Sequence, residues 1–261
     1  MEPPSHGHRR RPRQPLPRTR HAPINRTRER IFFAIMTVLT VATILLGFRA
    51  SYFPLGPRPA ALANTAIILH AAVFTLFLLL FAVQTTLVAA HRIRWHMKLG
   101  LWLYGIGALM FPLGLLAAVD ELRRDVAINR YPIPGIDGRT FSIISVSGIS
   151  CFAILMAWSY LERRNPAAHK RLALYAVLAM MNAGTDRWPW QAWGINESWS
   201  WWAFTALLLL PAVYDLISLH RIHWVTALSA PFIWILFRYQ FSIGRTRAWH
   251  ALADLSLKLP H

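Results

Sequence analysis

The sequence predicts an all-α integral membrane bundle of seven transmembrane helices, from its composition, its apolar runs and the placement of its charges. Apolar residues make up 55% of the 261 positions and charged residues only 15%, whereas soluble domains carry about a quarter charged. The apolar residues gather into runs of membrane-crossing length, and the basic residues fall between those runs.

Residues 1–30 hold nine of the 28 Lys and Arg residues, interspersed with prolines and histidines. Such a segment lacks the apolar content to pack and reads as a disordered basic cytoplasmic arm attracted to anionic lipid headgroups. No aromatic interleaving or nucleic-acid-binding fold accompanies it, so no nucleic acid is expected despite the net charge of +17. The run 31–48 is longer than a signal-peptide core and no small-x-small cleavage site follows it, so it reads as a retained first helix.

A crossing needs about 20 mostly apolar residues. The runs 31–48, 62–90, 99–119, 141–161 and 198–219 meet that length. Two weaker spans complete the seven, with fourteen residues between Arg171 and Asp186 and sixteen between Arg221 and Arg238. Flanking charged groups that snorkel can finish both. A re-entrant 172–185 is the alternative, and it would return the C-terminus to the side of the N-terminus.

The domain reading is therefore a basic arm over 1–30, a bundle over 31–241 and a short polar or interfacial segment over 242–261. Seven spans with the N-terminus cytoplasmic put 17 basic residues inside and 11 outside, the expected asymmetry. Residues 120–139, with mixed charges, Pro132, Pro134 and Gly135, read as a turn-rich outer connection. Trp188, Trp190, Trp193, Trp199, Trp201 and Trp202 read as an aromatic belt on the same side.

An internal similarity supports seven spans over six. His96-Met-Lys-Leu-Gly-Leu-Trp resembles His169-Lys-Arg-Leu-Ala-Leu-Tyr at an offset of 73 residues, and each follows a long apolar run. That pattern suits a duplicated helix pair whose copies cross alike.

Polar groups within apolar spans are costly and so mark candidate sites. On the second span His70, Phe77, Gln84 and His91 recur every seven residues and share a face that should look into the bundle. On the third, His96, Gly100, Gly107 and Gly114 share a line, suited to close helix packing or to a flat cofactor. His91, His96, His169, His220 and His223 all map to the cytoplasmic ends. His70, His96, His169 and His223 are the candidate cofactor residues, with a bis-histidine haem b from His96 and His169 as one form.

Gln84, Asn182 and Asp186 are candidates for a polar path, in which a His70–Asp186 contact would let both groups be tolerated. Asp215, one turn from the inner end of the sixth span, is expected to snorkel or to pair with Arg221 or His223. No metal site is expected, because no His or carboxylate spacing suits one and the single cysteine, Cys151, lies in an apolar run. Phosphate-cradling, nucleophile-elbow and dinucleotide-binding signatures are absent.

Leu69-His70, His96-Met-Lys-Leu-Gly, Ala168-His-Lys-Arg-Leu, Arg187-Trp-Pro and Tyr214-Asp215 followed by Ile222-His-Trp occur in that order. Over roughly residues 62–234 the chain resembles a group of uncharacterised bacterial polytopic inner-membrane proteins. The resemblance implies a bacterial inner membrane and carries no activity. Trp224 stands where that group has a proline, which removes any role of a kink there.

Three functions stay open on this reading: redox or cofactor binding through inward-facing histidines, linked to haem or quinone; a small transporter or permease with a polar path; and a non-catalytic membrane scaffold or assembly factor. No catalytic residue is assigned.

Overall fold

A computed structural model describes residues 26–49, 65–129 and 133–258. Most of the basic arm, residues 1–25, lies outside them.

The fold is an all-α bundle. Helix α1 (Arg26–Gly47), α2 (Thr65–Ala89), α3 (Ile93–Ala127), the short α4 (Gly138–Phe141), α5 (Ile143–Leu161), α6 (Pro166–Ala179), the short α7 (Met181–Thr185), α8 (Trp199–Leu219), α9 (Trp224–Gly244) and α10 (Arg247–Leu257) follow in order. Five helical segments, α1, α2, α3, α5 with its flanking turns, and α8, are long and apolar enough to cross a membrane.

The segment α6–α7 decides the number of passes. At its start Lys170 pairs with Glu29 near the start of α1. At its end the backbone of Gly184 lies directly against Gly47, the last residue of α1. The segment therefore runs beside α1 in the same direction and through the same depth. Its twenty residues from Pro166 to Thr185 span about 30 Å at helical rise, a length compatible with a crossing beside α1, and the segment is not among the five long and apolar enough on their own. Helix α9 also lies outside those five; it starts where the His223 N–H meets the Asp215 that pairs with Arg171 of α6, and ends with Gly244 against Thr140 at the other end.

We call the end of the bundle that holds the start of α1 the proximal face and the opposite end the distal face. Arg30 of α1 reaches His91 in the α2–α3 turn, which places that turn on the proximal face.

The weakest span in the sequence is the central one in the fold. Leu172 and every residue from Leu174 to Ala179 are buried, on all sides of α6. A helix enclosed by other helices needs no lipid-facing stripe, so it tolerates Arg171 provided that its neighbours supply a partner. Asn165 caps it through a bond from the Ala168 N–H (3.4 Å), and Pro166 occupies the first helical position.

Two glycines of α3, Gly107 and Gly114, serve packing. A Cβ at Gly114 would meet Ile149 of α5 at 2.7 Å, and one at Gly107 would meet Phe77 at 3.4 Å. Pro112, Pro211 and Pro231 lie within α3, α8 and α9, where neighbouring helices compensate for the lost backbone bonds.

Three boundaries differ from the sequence expectation. Helix α1 starts at Arg26, because Glu29 and the arginines around it are good helix formers and Glu29 gains Lys170 as partner. Helix α3 continues to Ala127, so the first part of the expected turn-rich connection is helical, with an i,i+4 pair between Asp120 and Arg124. Residues 247–257 form α10, capped by Thr246 and held to α4 by Arg139–Asp254 (2.6 Å) and by Trp249 Nε1 donating to the Arg139 carbonyl (2.8 Å).

Candidate functional site

His96 and His169 are each the fourth residue of their helix, and the starts of those helices, Ile93 and Pro166, are separated by the same 73 positions as the two motifs. The structure brings them together on the proximal side, with ring centroids 6.3 Å apart and planes at 78°.

Each ring is held by its Nδ1. His169 Nδ1–H donates to the Ser159 carbonyl (3.0 Å). Ser159 Oγ donates to the His169 carbonyl (3.0 Å) and therefore accepts from the Tyr104 hydroxyl (2.8 Å). These bonds tie α3 to the α5–α6 hairpin. With its amide oxygen accepting from the Gly100 N–H (2.8 Å), Gln84 donates from its nitrogen to His96 Nδ1 (2.5 Å) and to the His96 carbonyl (3.1 Å).

The two tautomers follow from those bonds. His96 accepts at Nδ1 and so carries its proton on Nε2. His169 donates at Nδ1 and so keeps a lone pair on Nε2. Among the described residues neither Nε2 has a hydrogen-bond partner. The pair therefore offers one N–H donor, on His96 Nε2, and one acceptor, on His169 Nε2.

Two residues along α6, a second polar cluster is closed on itself. Arg171 and Asp215 form an ion pair whose side chains are 3% and 0% exposed. Asp215 also accepts from Thr226 Oγ1 (2.7 Å) and from the His223 backbone N–H (3.1 Å), and Arg171 donates to the Ala167 carbonyl (3.0 Å). The expected partner Arg221 is replaced by Arg171, because α6 is interior while Arg221 is an exposed turn residue. The sequence signal was an Arg and an Asp of opposite charge at the same end of two spans, but its reading favoured nearness in the chain.

His223 caps α9 by accepting from the Val225 N–H at Nδ1 (3.2 Å). Its pKa lies below the ordinary 6.5, first through burial and then through Arg171, Lys170 and Arg221, with Asp215 opposing them. The unfolded chain therefore takes up a proton more readily than the folded one, and protonation of Nδ1 removes the cap. Stability is full above the ordinary pKa and is expected to decline as pH falls below about 6.5. Thermal unfolding at pH 7.5 and pH 5 measures this, and His223→Asn, which keeps an acceptor but does not titrate, should flatten that part of the pH slope.

The other candidates are dispersed. His91 and His220 adopt positive φ (61° and 54°) at the ends of α2 and α8, so they serve as turn residues. His70 lies toward the distal end of α2 against the Phe74 ring (6.0 Å), and its buried Nδ1 has no partner among the described residues. The expected His70–Asp186 contact is not formed there, because Asp186 is exposed beyond the end of α7. Gln84 is committed to His96 on the proximal side, whereas Asn182 is buried in α7 and Asp186 follows it on the distal side. These three do not form one path.

Tyr104, Ser159, Thr226 and Arg171 were not singled out in the sequence. Hydroxyls and a span-ending arginine carry no spacing signature, and only the crossing of α3, α5, α6, α8 and α9 gives them partners. Among the described residues no group of three or more His, Cys, Asp or Glu side chains is placed to hold a metal ion. Comparison of the chain with protein-family models, with curated proteins and with solved structures finds no match.

Proposed function

We propose that this is a multi-pass bacterial inner-membrane protein that binds a quinone-type ring at the His96–His169 pair, with its N-terminus cytoplasmic and its basic arm on anionic lipid headgroups. The observation that carries the ligand is the complementary pair of free Nε2 atoms, one donor and one acceptor, in a partly buried site. A quinone carbonyl would accept from His96 Nε2–H, and the hydroxyl of the reduced ring would donate to His169 Nε2. Both forms of one ligand thus find a partner in the same two rings.

The surroundings suit an amphiphile. A groove of about 400 Å³ between α3 and α5 is lined by Gly105, Ala108, Ala153, Tyr160 and Tyr104 among others, and the Tyr104 hydroxyl is 3.3 Å from His169 Nδ1. The orientation rests on the basic asymmetry of the sequence, and the bacterial membrane on the family resemblance.

A bis-histidine haem b is the second reading. It is favoured by the Ser159 carbonyl that fixes the His169 tautomer in the manner of a metal-bound imidazole. It requires His96 to move its proton from Nε2 to Nδ1 and Gln84 to reverse its amide.

The test is co-purification from membranes followed by solvent extraction and absorption spectra. Quinone at a stoichiometric level, reduced at least tenfold in His169→Ala and in His96→Ala, is the expected result. A Soret band lost in the same variants would select haem, and a colourless preparation without quinone would overturn both.

A further inference from the structure

The connection after α7 builds a second site on the distal face. Trp188, Trp190 and Trp193 pack as a triangle, with ring centroids 5.3, 6.1 and 5.7 Å apart. Trp190 is buried, and its Nε1 donates to the Thr185 carbonyl (2.8 Å). Trp188 Nε1 donates to the Thr43 carbonyl of α1 (3.3 Å). Gly194, at φ +67°, then turns the chain so that the Ile195 N–H returns to the Trp190 carbonyl (2.9 Å). These bonds leave a cup of about 470 Å³ bounded by Trp190, Gly194, Ile195, Asn196 and Trp199.

The electrostatics of this cup select a cation. From Trp188 to Phe204 the chain has no Lys, Arg or His, and its only ionisable side chain is Glu197. Glu197 accepts from Gln191 Nε2 at 2.5 Å, which holds the carboxylate to the loop beside Asn196. Arg187 is turned away, with its guanidinium 4.9 Å from the Phe48 ring and donating to the Ala183 carbonyl (2.8 Å).

Indole faces attract cations within about 6 Å, most strongly those that shed water easily. An aromatic cup with the Glu197 carboxylate nearby, and with Asp186 held to Ser200 beside Trp199, suits a head that has charge but no N–H to satisfy. We propose that the cup between Trp190 and Trp199 binds a quaternary ammonium head of the choline type. The site is separate from the His96–His169 pair and rests on none of the same residues.

Equilibrium dialysis of labelled choline against the full chain in phosphatidylglycerol nanodiscs tests this. Saturable binding is expected, weakened about tenfold in Trp199→Ala and weakened less in Glu197→Gln. Trp199 is 57% exposed, so its truncation spares the fold, and Trp202→Ala, at 59% exposure outside the cup, should bind as the native chain does. The neutral isostere 3,3-dimethylbutanol should compete at least tenfold less well than unlabelled choline.

Displacement of the label by phosphatidylcholine in the disc would identify a lipid headgroup as the source. Failure to displace would identify the free solute, and either result upholds the quaternary head. Absence of saturable binding, native binding by Trp199→Ala, equal competition by the neutral isostere, or displacement by methyl glucoside would each overturn the proposal.

Discussion

Asp215→Ala is expected to destabilise the bundle by about 3–5 kcal/mol, the usual cost of breaking a buried ion pair from one side. The carboxylate holds together α6, α8 and α9, accepting from Arg171, Thr226 and the His223 backbone. Removing it strands a guanidinium that is almost wholly enclosed, and the stranded charge rather than the lost attraction sets the magnitude. That cost is a large share of the roughly 5–15 kcal/mol by which folded proteins are stable. Asp215→Asn keeps acceptors for Thr226 and His223 and should cost less. The double variant Arg171→Met with Asp215→Leu should recover most of the loss, since apolar replacement of both partners leaves no unpaired charge. Unfolding midpoints in detergent measure all three, and a double variant no better than Asp215→Ala would show that the pair is not the cause.

The second large effect is expected at Gly47. A Cβ there would enter the backbone of Gly184, meeting its Cα and carbonyl carbon at 3.0 Å and lying closer still to the carbonyl oxygen. No rotamer change relieves a collision with backbone, so α1 and α7 must separate. Their separation also strains the Trp188–Thr43 and Arg49–Arg187 bonds that close the same corner. Gly47→Ala should therefore cost about 1–3 kcal/mol, in the range of overpacked cores, and Gly47→Leu more. Gly105→Ala is the matching control: it lies in α3, an added Cβ there meets nothing within 4 Å, and helix propensity favours alanine by about 1 kcal/mol. Opposite shifts in unfolding temperature for the two glycines are the expected result.

The inward stripe of α2 was legible in part, because the seven-residue recurrence of His70, Phe77, Gln84 and His91 is a property of helix geometry that ends where the helix does, leaving His91 in an exposed turn. Phe77 and Gln84 are indeed buried. The two histidines of the candidate site were legible for a different reason. The repeated motif fixes equal positions in two helices, and equal positions at helix starts on one face can meet. Their hydrogen-bond partners were not legible, because Ser159 and Tyr104 are ordinary residues within long apolar runs until α3 and α5 cross. Asp215 was read as a charge near the inner end of its span that snorkels or pairs with Arg221 or His223, and the His223 backbone N–H does donate to it, but its charged partner is neither. Helix packing instead put Arg171, 44 residues away, against it.

By itself the sequence determined that the chain is helical and lipid-compatible, where most of its helices run, and which residues stand at the ends of the bundle. Those properties follow from local hydropathy and helical periodicity, which each segment carries independently. The tertiary structure decided that the least apolar span is the central helix of the bundle, that the Nδ1 atoms of His96 and His169 take opposite hydrogen-bond roles, and that Arg171 closes on Asp215. Such outcomes depend on which helix faces which, and that choice is made by side-chain packing between segments far apart in the chain.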